Sequence, residues 1–98
     1  MEKVIFTIKY QVIEEKTTEF LDVVRELKNI VKAEGLENYS IFSVKGKKNL
    51  YQEVYTFESM EAYDNYDDAA DERLDILMNK LADLVKPSST EYLTLNEI

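Results

Sequence analysis

Leu50–Tyr66, LYQEVYTFESMEAYDNY, reads as a strand that runs directly into the start of a helix. Residues 50–57 mix β-branched and aromatic side chains, which suit a pleated, half-buried surface. Ser59 then offers a hydroxyl to the unpaired first-turn N–H groups of a helix that opens with acids and tyrosines. Such a junction, placed second in a 98-residue chain, points to a duplicated β-α-β layout. That layout leaves one sheet face bare and places a small pocket beneath the helices.

Upstream, Val4–Ile13 is a strand whose alternate residues Val4, Phe6, Ile8, Tyr10 and Val12 are all apolar or aromatic. The other set is Ile5, Thr7, Lys9, Gln11 and Ile13. Thr17 or Thr18 is placed to cap a helix in which Phe20, Val23 or Val24, Leu27, and Ile30 or Val31 recur at helical spacing. Gly35 is expected to stop that helix as its left-handed C′ residue, with Leu36 folding back on Val31. Tyr39–Lys45 and Leu50–Phe57 form a hairpin across Gly46-Lys47-Lys48-Asn49.

Downstream, the stretch Asp64–Asp71 holds few core-type residues and predicts a break. Periodicity resumes with Ala70, Leu74, Leu77 or Met78, Leu81, and Leu84 or Val85, and ends at Pro87. Thr90–Leu95 closes the series as a fourth strand. The order β-α-β-β-α-β predicts a single domain over residues 1–98, α+β and ferredoxin-like. Right-handed crossovers give a four-stranded antiparallel sheet in the order 4-1-3-2, with both helices on one face.

Composition excludes several functions. Without His or Cys, neither a Ser-His-Asp nor a Cys-His nucleophile can be built. Gly35 and Gly46 stand alone, so no phosphate-cradling loop exists. A net charge of −8 argues against nucleic acid, whose binding depends on Lys and Arg. No apolar run approaches the length of a membrane span, and no leader-like segment is visible. A cytoplasmic location is expected. The acids concentrate between Glu58 and Asp75, which hold eight Asp and Glu against Arg73. Asp64, Asp68, Asp71 and Asp75 follow helical spacing, but converging ligands are absent, so a solvated face rather than a metal site is expected.

On the uncovered sheet face, the third strand contributes either Tyr51, Glu53, Tyr55 and Phe57 or Leu50, Gln52, Val54 and Thr56. Either choice exposes apolar groups and predicts a symmetric pairing of two sheets. Lys9 and Glu53 sit on neighbouring strands; if they share a face they form a partly buried pair, and otherwise each is an ordinary exposed charge.

The run YQEVYTFESMEAYDNY resembles the third strand and second-helix start of dimeric α+β barrel proteins of the antibiotic biosynthesis monooxygenase type. The resemblance implies a homodimer joined through the sheet as an α+β barrel, with a pocket between sheet and helices for a small apolar or aromatic molecule. Its lining would include Phe6, Ile8, Tyr10, Tyr51, Tyr55, Leu74 and Met78, with no cofactor. Cofactor-free oxygenation needs a base and a stabiliser of the substrate anion. Tyr63 or Tyr66 over the pocket mouth, with Lys9, Gln11 or Glu53 inside, would supply them. Haem-degrading members are expected to carry His and Trp, which this chain lacks. The alternatives are a ligand-binding or stability module without turnover, and an interaction domain whose acidic helix docks a basic partner.

Overall fold

The computed structural model describes residues 2–67 and 71–98. The elements run β1 (Val4–Gln11), a 3₁₀ turn (Glu14–Lys16), α1 (Thr17–Ile30), β2 (Leu36–Ser43), β3 (Leu50–Phe57), α2 (Met60–Asn65), α3 (Glu72–Ala82) and β4 (Glu91–Asn96). The strands form one antiparallel sheet in the order β2-β3-β1-β4, the predicted order seen from the opposite edge.

Register decides which side of the sheet each residue serves. Val4, Phe6, Ile8 and Tyr10 stand opposite Phe57, Tyr55, Glu53 and Tyr51. This set faces the helices, where Phe20, Val23, Val24 and Leu27 of α1 and Leu74, Leu77 and Leu81 of α3 are buried with it. Leu50, Gln52, Val54 and Thr56 therefore share the other face with Ile5, Thr7, Lys9 and Gln11. That settles the choice left open on the third strand. A bidentate pair of the Arg73 guanidinium with Glu26 ties α3 to α1 on the outside.

Several boundaries differ from expectation for local reasons. The Thr17 hydroxyl donates back to the Glu14 carbonyl at 2.9 Å, and α1 starts from Lys16 with no side-chain cap. The helix also ends at Ile30, before Gly35, because Val31 turns to extended backbone (ψ 96°) and buries its side chain. Gly35 (φ +81°) instead turns the chain into β2, where its carbonyl accepts the Glu58 N–H at 2.8 Å. β2 accordingly begins at Leu36 rather than Tyr39. Ser59 caps α2 as predicted, accepting the Ala62 N–H at 3.1 Å. Asp71 caps α3 through the Leu74 N–H at 2.9 Å. α3 stops at Ala82, ahead of Pro87, while Ala70 and Asp68 lie outside the described residues.

After α3 the chain is pinned to the far end of β1. The Ile13 N–H donates to Leu84 at 2.9 Å and the Lys86 N–H to Gln11 at 2.8 Å, with Val12 bridged to Val85. This segment closes one end of a space between β1, β3, β4 and α3.

Candidate ligand site

Glu53 occupies the middle of β3, between Ile8 of β1 and Ile41 of β2. Its alternation with Tyr51 and Tyr55 turns it to the helix side, and it is 1% exposed. A carboxylate taken out of water needs donors. Tyr39, diagonally placed on β2, donates its hydroxyl to Glu53 Oε1 at 2.6 Å, and Tyr55 lies at 3.5 Å from the same oxygen. The first distance is that of a well-formed O–H···O hydrogen bond. Burial first, and then the charge of Glu53, push the Tyr39 hydroxyl far above the ordinary phenol range. The same two causes raise Tyr10. Both phenols are thus proton donors, not bases.

Glu53 and Tyr10 line a cleft of about 530 Å³ between the sheet and α3. Phe6 and Ile8 continue its wall along β1; Met78, Leu81 and Val85 cover it from the helix and the segment beyond. Tyr92 of β4 stacks on Phe6 with ring centroids 6.1 Å apart and planes 13° apart. It is 68% exposed, so it stands at the rim together with Lys86, Ser88 and Thr90. The arrangement is an apolar slot with one carboxylate and one phenol on its inner wall. It can hold a flat, largely apolar molecule and exchange hydrogen bonds with a polar group at its end.

Of the residues singled out in the sequence, Phe6, Ile8, Tyr10, Met78 and Glu53 converge on this cleft. Tyr51 packs on Phe20, with centroids 4.6 Å apart. Tyr55 sits in the core against Tyr39, Phe6 and Tyr66. Tyr63 packs on Phe6 and Phe57, with its hydroxyl 3.3 Å from that of Thr94. Lys9 and Glu53 do not share a face: Lys9 stands opposite Gln52 and pairs with Glu91 at 3.2 Å. Nor is Glu53 an exposed charge, and Gln11 points away from the helices with Lys9. Tyr39, Leu81, Val85 and Tyr92 are not among the predicted site residues. The signal for Tyr39 was a phenol on the strand paired with the one carrying Glu53, but diagonal contact depends on register.

A second cleft, of about 740 Å³, lies between the end of α1 and α2, and Tyr66 and Leu74 belong to it. Glu34, Glu58, Glu61, Asp67 and Asp71 stand on its walls with Lys32, among the apolar Ile30, Ala33 and Ala62. Among the described residues no group of acids is arranged to hold a metal ion. Among them, too, no helix is long and apolar enough to cross a membrane.

Solved structures share this architecture along the whole chain. A conserved protein from Methanosarcina mazei superposes with a TM-score of 0.82 at 17% identity, covering 100% of this chain and 95% of its own. An antibiotic biosynthesis monooxygenase gives 0.77 at 17%, over 100% and 99%. A variant of SnoaB, a cofactor-independent oxygenase from Streptomyces nogalater, gives 0.74 at 16%, over 95% and 90%. The chain has the antibiotic biosynthesis monooxygenase-like fold. No protein-family model and no curated protein matches the sequence, so the likeness is one of fold. Within this monooxygenase-like fold, the cleft between α3 and the sheet carries the residues with chemical character.

Proposed function

We propose that the protein binds a small apolar or aromatic molecule in the cleft between α3 and the sheet. The observation that carries this reading is a carboxylate 1% exposed on the wall of a largely apolar slot. Burying it costs stability that an apolar residue would not. Phe6, Tyr92 and Met78 offer ring faces and a polarisable thioether to a flat ligand. The cleft beside α2 also has apolar lining from Ile30, Tyr66 and Leu74, but five acids share its walls.

Chemistry in the slot would be proton transfer at Glu53, with Tyr10 beside it as a donor to developing negative charge. That is the demand of cofactor-free oxygenation, the activity named for SnoaB. Native mass spectrometry of protein purified from its host tests binding. A retained small molecule is expected, and it should vanish in Ile8→Trp, which fills the slot. Oxygen uptake on adding that molecule separates turnover from binding alone. Protein that carries no ligand and is not stabilised by any of a panel of aromatic compounds would sink the reading.

The open sheet face supports a proposed homodimer. Phe42, Leu93 and Leu95 are 56%, 54% and 47% exposed there, and such a surface is uncommon on a monomer.

A further inference from the structure

Tyr39, Tyr55 and Tyr66 form a continuous line of phenol rings. The centroids of Tyr39 and Tyr55 lie 4.7 Å apart, and those of Tyr55 and Tyr66 5.7 Å apart. Both contacts are tilted, at 53° and 56°, and fall within the range of packed aromatic pairs. The line has an outer and an inner end. Tyr66 is half-buried on the wall of the cleft beside α2, whereas Tyr55 and Tyr39 are buried. At the inner end the Tyr39 hydroxyl meets Glu53 Oε1 at 2.6 Å, within reach of direct proton transfer. The Tyr55 hydroxyl reaches the same oxygen only at 3.5 Å.

We propose that Tyr39 is a redox-active tyrosine, which gives one electron outward through Tyr55 and Tyr66 and its phenol proton to Glu53. This activity needs no ligand in the α3 cleft and stands apart from the binding reading above. In the step, the O–H bond of Tyr39 breaks and an O–H bond forms on Glu53 Oε1. The phenol becomes a neutral tyrosyl radical. The oxidant is an oxygen-centred radical of the peroxyl class, which takes the electron and becomes the hydroperoxide anion.

Burial favours this step over its alternatives. Ionisation of Tyr39 alone would set a second negative charge beside Glu53 in a region shut off from water. Loss of an electron alone would leave a phenol radical cation, a strong acid with a carboxylate 2.6 Å away. Loss of both leaves a neutral phenoxyl beside a neutral carboxylic acid. The buried charge of Glu53 is discharged and none is created in its place. The surroundings that hold the proton against base thus favour its release together with an electron.

Flash photolysis with ruthenium(III) tris-bipyridine as the one-electron oxidant, followed by freeze-quench electron paramagnetic resonance, tests this. The wild type should keep a neutral tyrosyl signal after radicals on exposed rings such as Tyr92, 68% exposed, have decayed. Burial shields the Tyr39 radical from pairing with another in solution. Its signal should carry a coupling to the Glu53 proton that disappears in protein exchanged into deuterated water. Tyr39→Phe should lose the persistent signal. Fluorotyrosine placed at position 39 keeps the hydroxyl, and so decides the matter even if Tyr39→Phe does not fold; it should add fluorine splitting to that signal. A persistent signal in Tyr39→Phe overturns the inference, as does one without fluorine splitting in the labelled protein. A wild type whose radicals all decay with those of exposed rings, or whose persistent radical has no exchangeable coupling, overturns it equally.

Discussion

Burial and the charge of Glu53 hold the protons on Tyr39 and Tyr10, which couples their ionisation to unfolding. Their folded pKa values are raised, so the unfolded chain loses these protons first, once pH passes the ordinary phenol value of 10.0. Stability is therefore full below that value and falls as pH rises above it, by about 1.4 kcal/mol per pH unit for each tyrosine. Urea titrations from neutral to alkaline pH should show this slope, and Tyr39→Phe should remove about half of it. At neutral pH the same variant loses the donor to a buried carboxylate and should be less stable by about 1–3 kcal/mol. An unchanged urea midpoint at neutral pH would mean that the hydrogen bond to Glu53 carries no net stability.

At the scale of elements, the two glycines separate backbone strain from packing. Gly35 and Gly46 share a φ of +81°, but a Cβ on Gly35 would lie 2.4 Å from Ala62 Cβ, whereas Gly46 faces open space. Gly46→Ala should cost about 1–2 kcal/mol from the left-handed backbone alone. Gly35→Ala adds the collision of β2's leading turn with α2 and should cost clearly more, as thermal melts of both variants will show. Much of this layer was legible in the chain. The alternation of Leu50–Phe57 and the cap at Ser59 are local properties, and they appear where the residues predict them. The end of α1 was not legible, because Gly35 is a strong stop signal while the departure at Val31 follows from burying that side chain. The side of the sheet taken by Glu53 was equally hidden. Both alternating sets of β3 carry apolar residues, and only pairing with β1, far away in sequence, chooses between them. The cleft was half-legible for the same reason: its β1 wall follows from alternation, but Tyr92 reaches it, and Tyr39 reaches Glu53, through long-range register.

For the whole molecule, the open face is where the proposed pairing can be tested. If two sheets pack there, Phe42→Asp with Leu93→Lys should shift sedimentation from a dimer to the 11.5 kDa monomer. Such a pair of charges leaves the helix-side core untouched, so circular dichroism should stay native. Wild-type protein sedimenting as a monomer at high concentration would refute the pairing. The carboxylate at the centre of β3 bears on the molecule in another way, as a sacrifice of durability. Replacing it and its shorter-bonded donor together, Glu53→Met with Tyr39→Phe, removes both ends of the 2.6 Å hydrogen bond and leaves the Tyr55 hydroxyl to lose its longer contact. The doubly substituted protein should match the wild type or exceed it by up to about 4 kcal/mol, although Tyr39→Phe alone is destabilising. A measured gain would fit the trade-off between stability and function expected of a working site. Chemical denaturation of the double variant, set beside its loss of ligand, would measure both sides of that exchange in one protein.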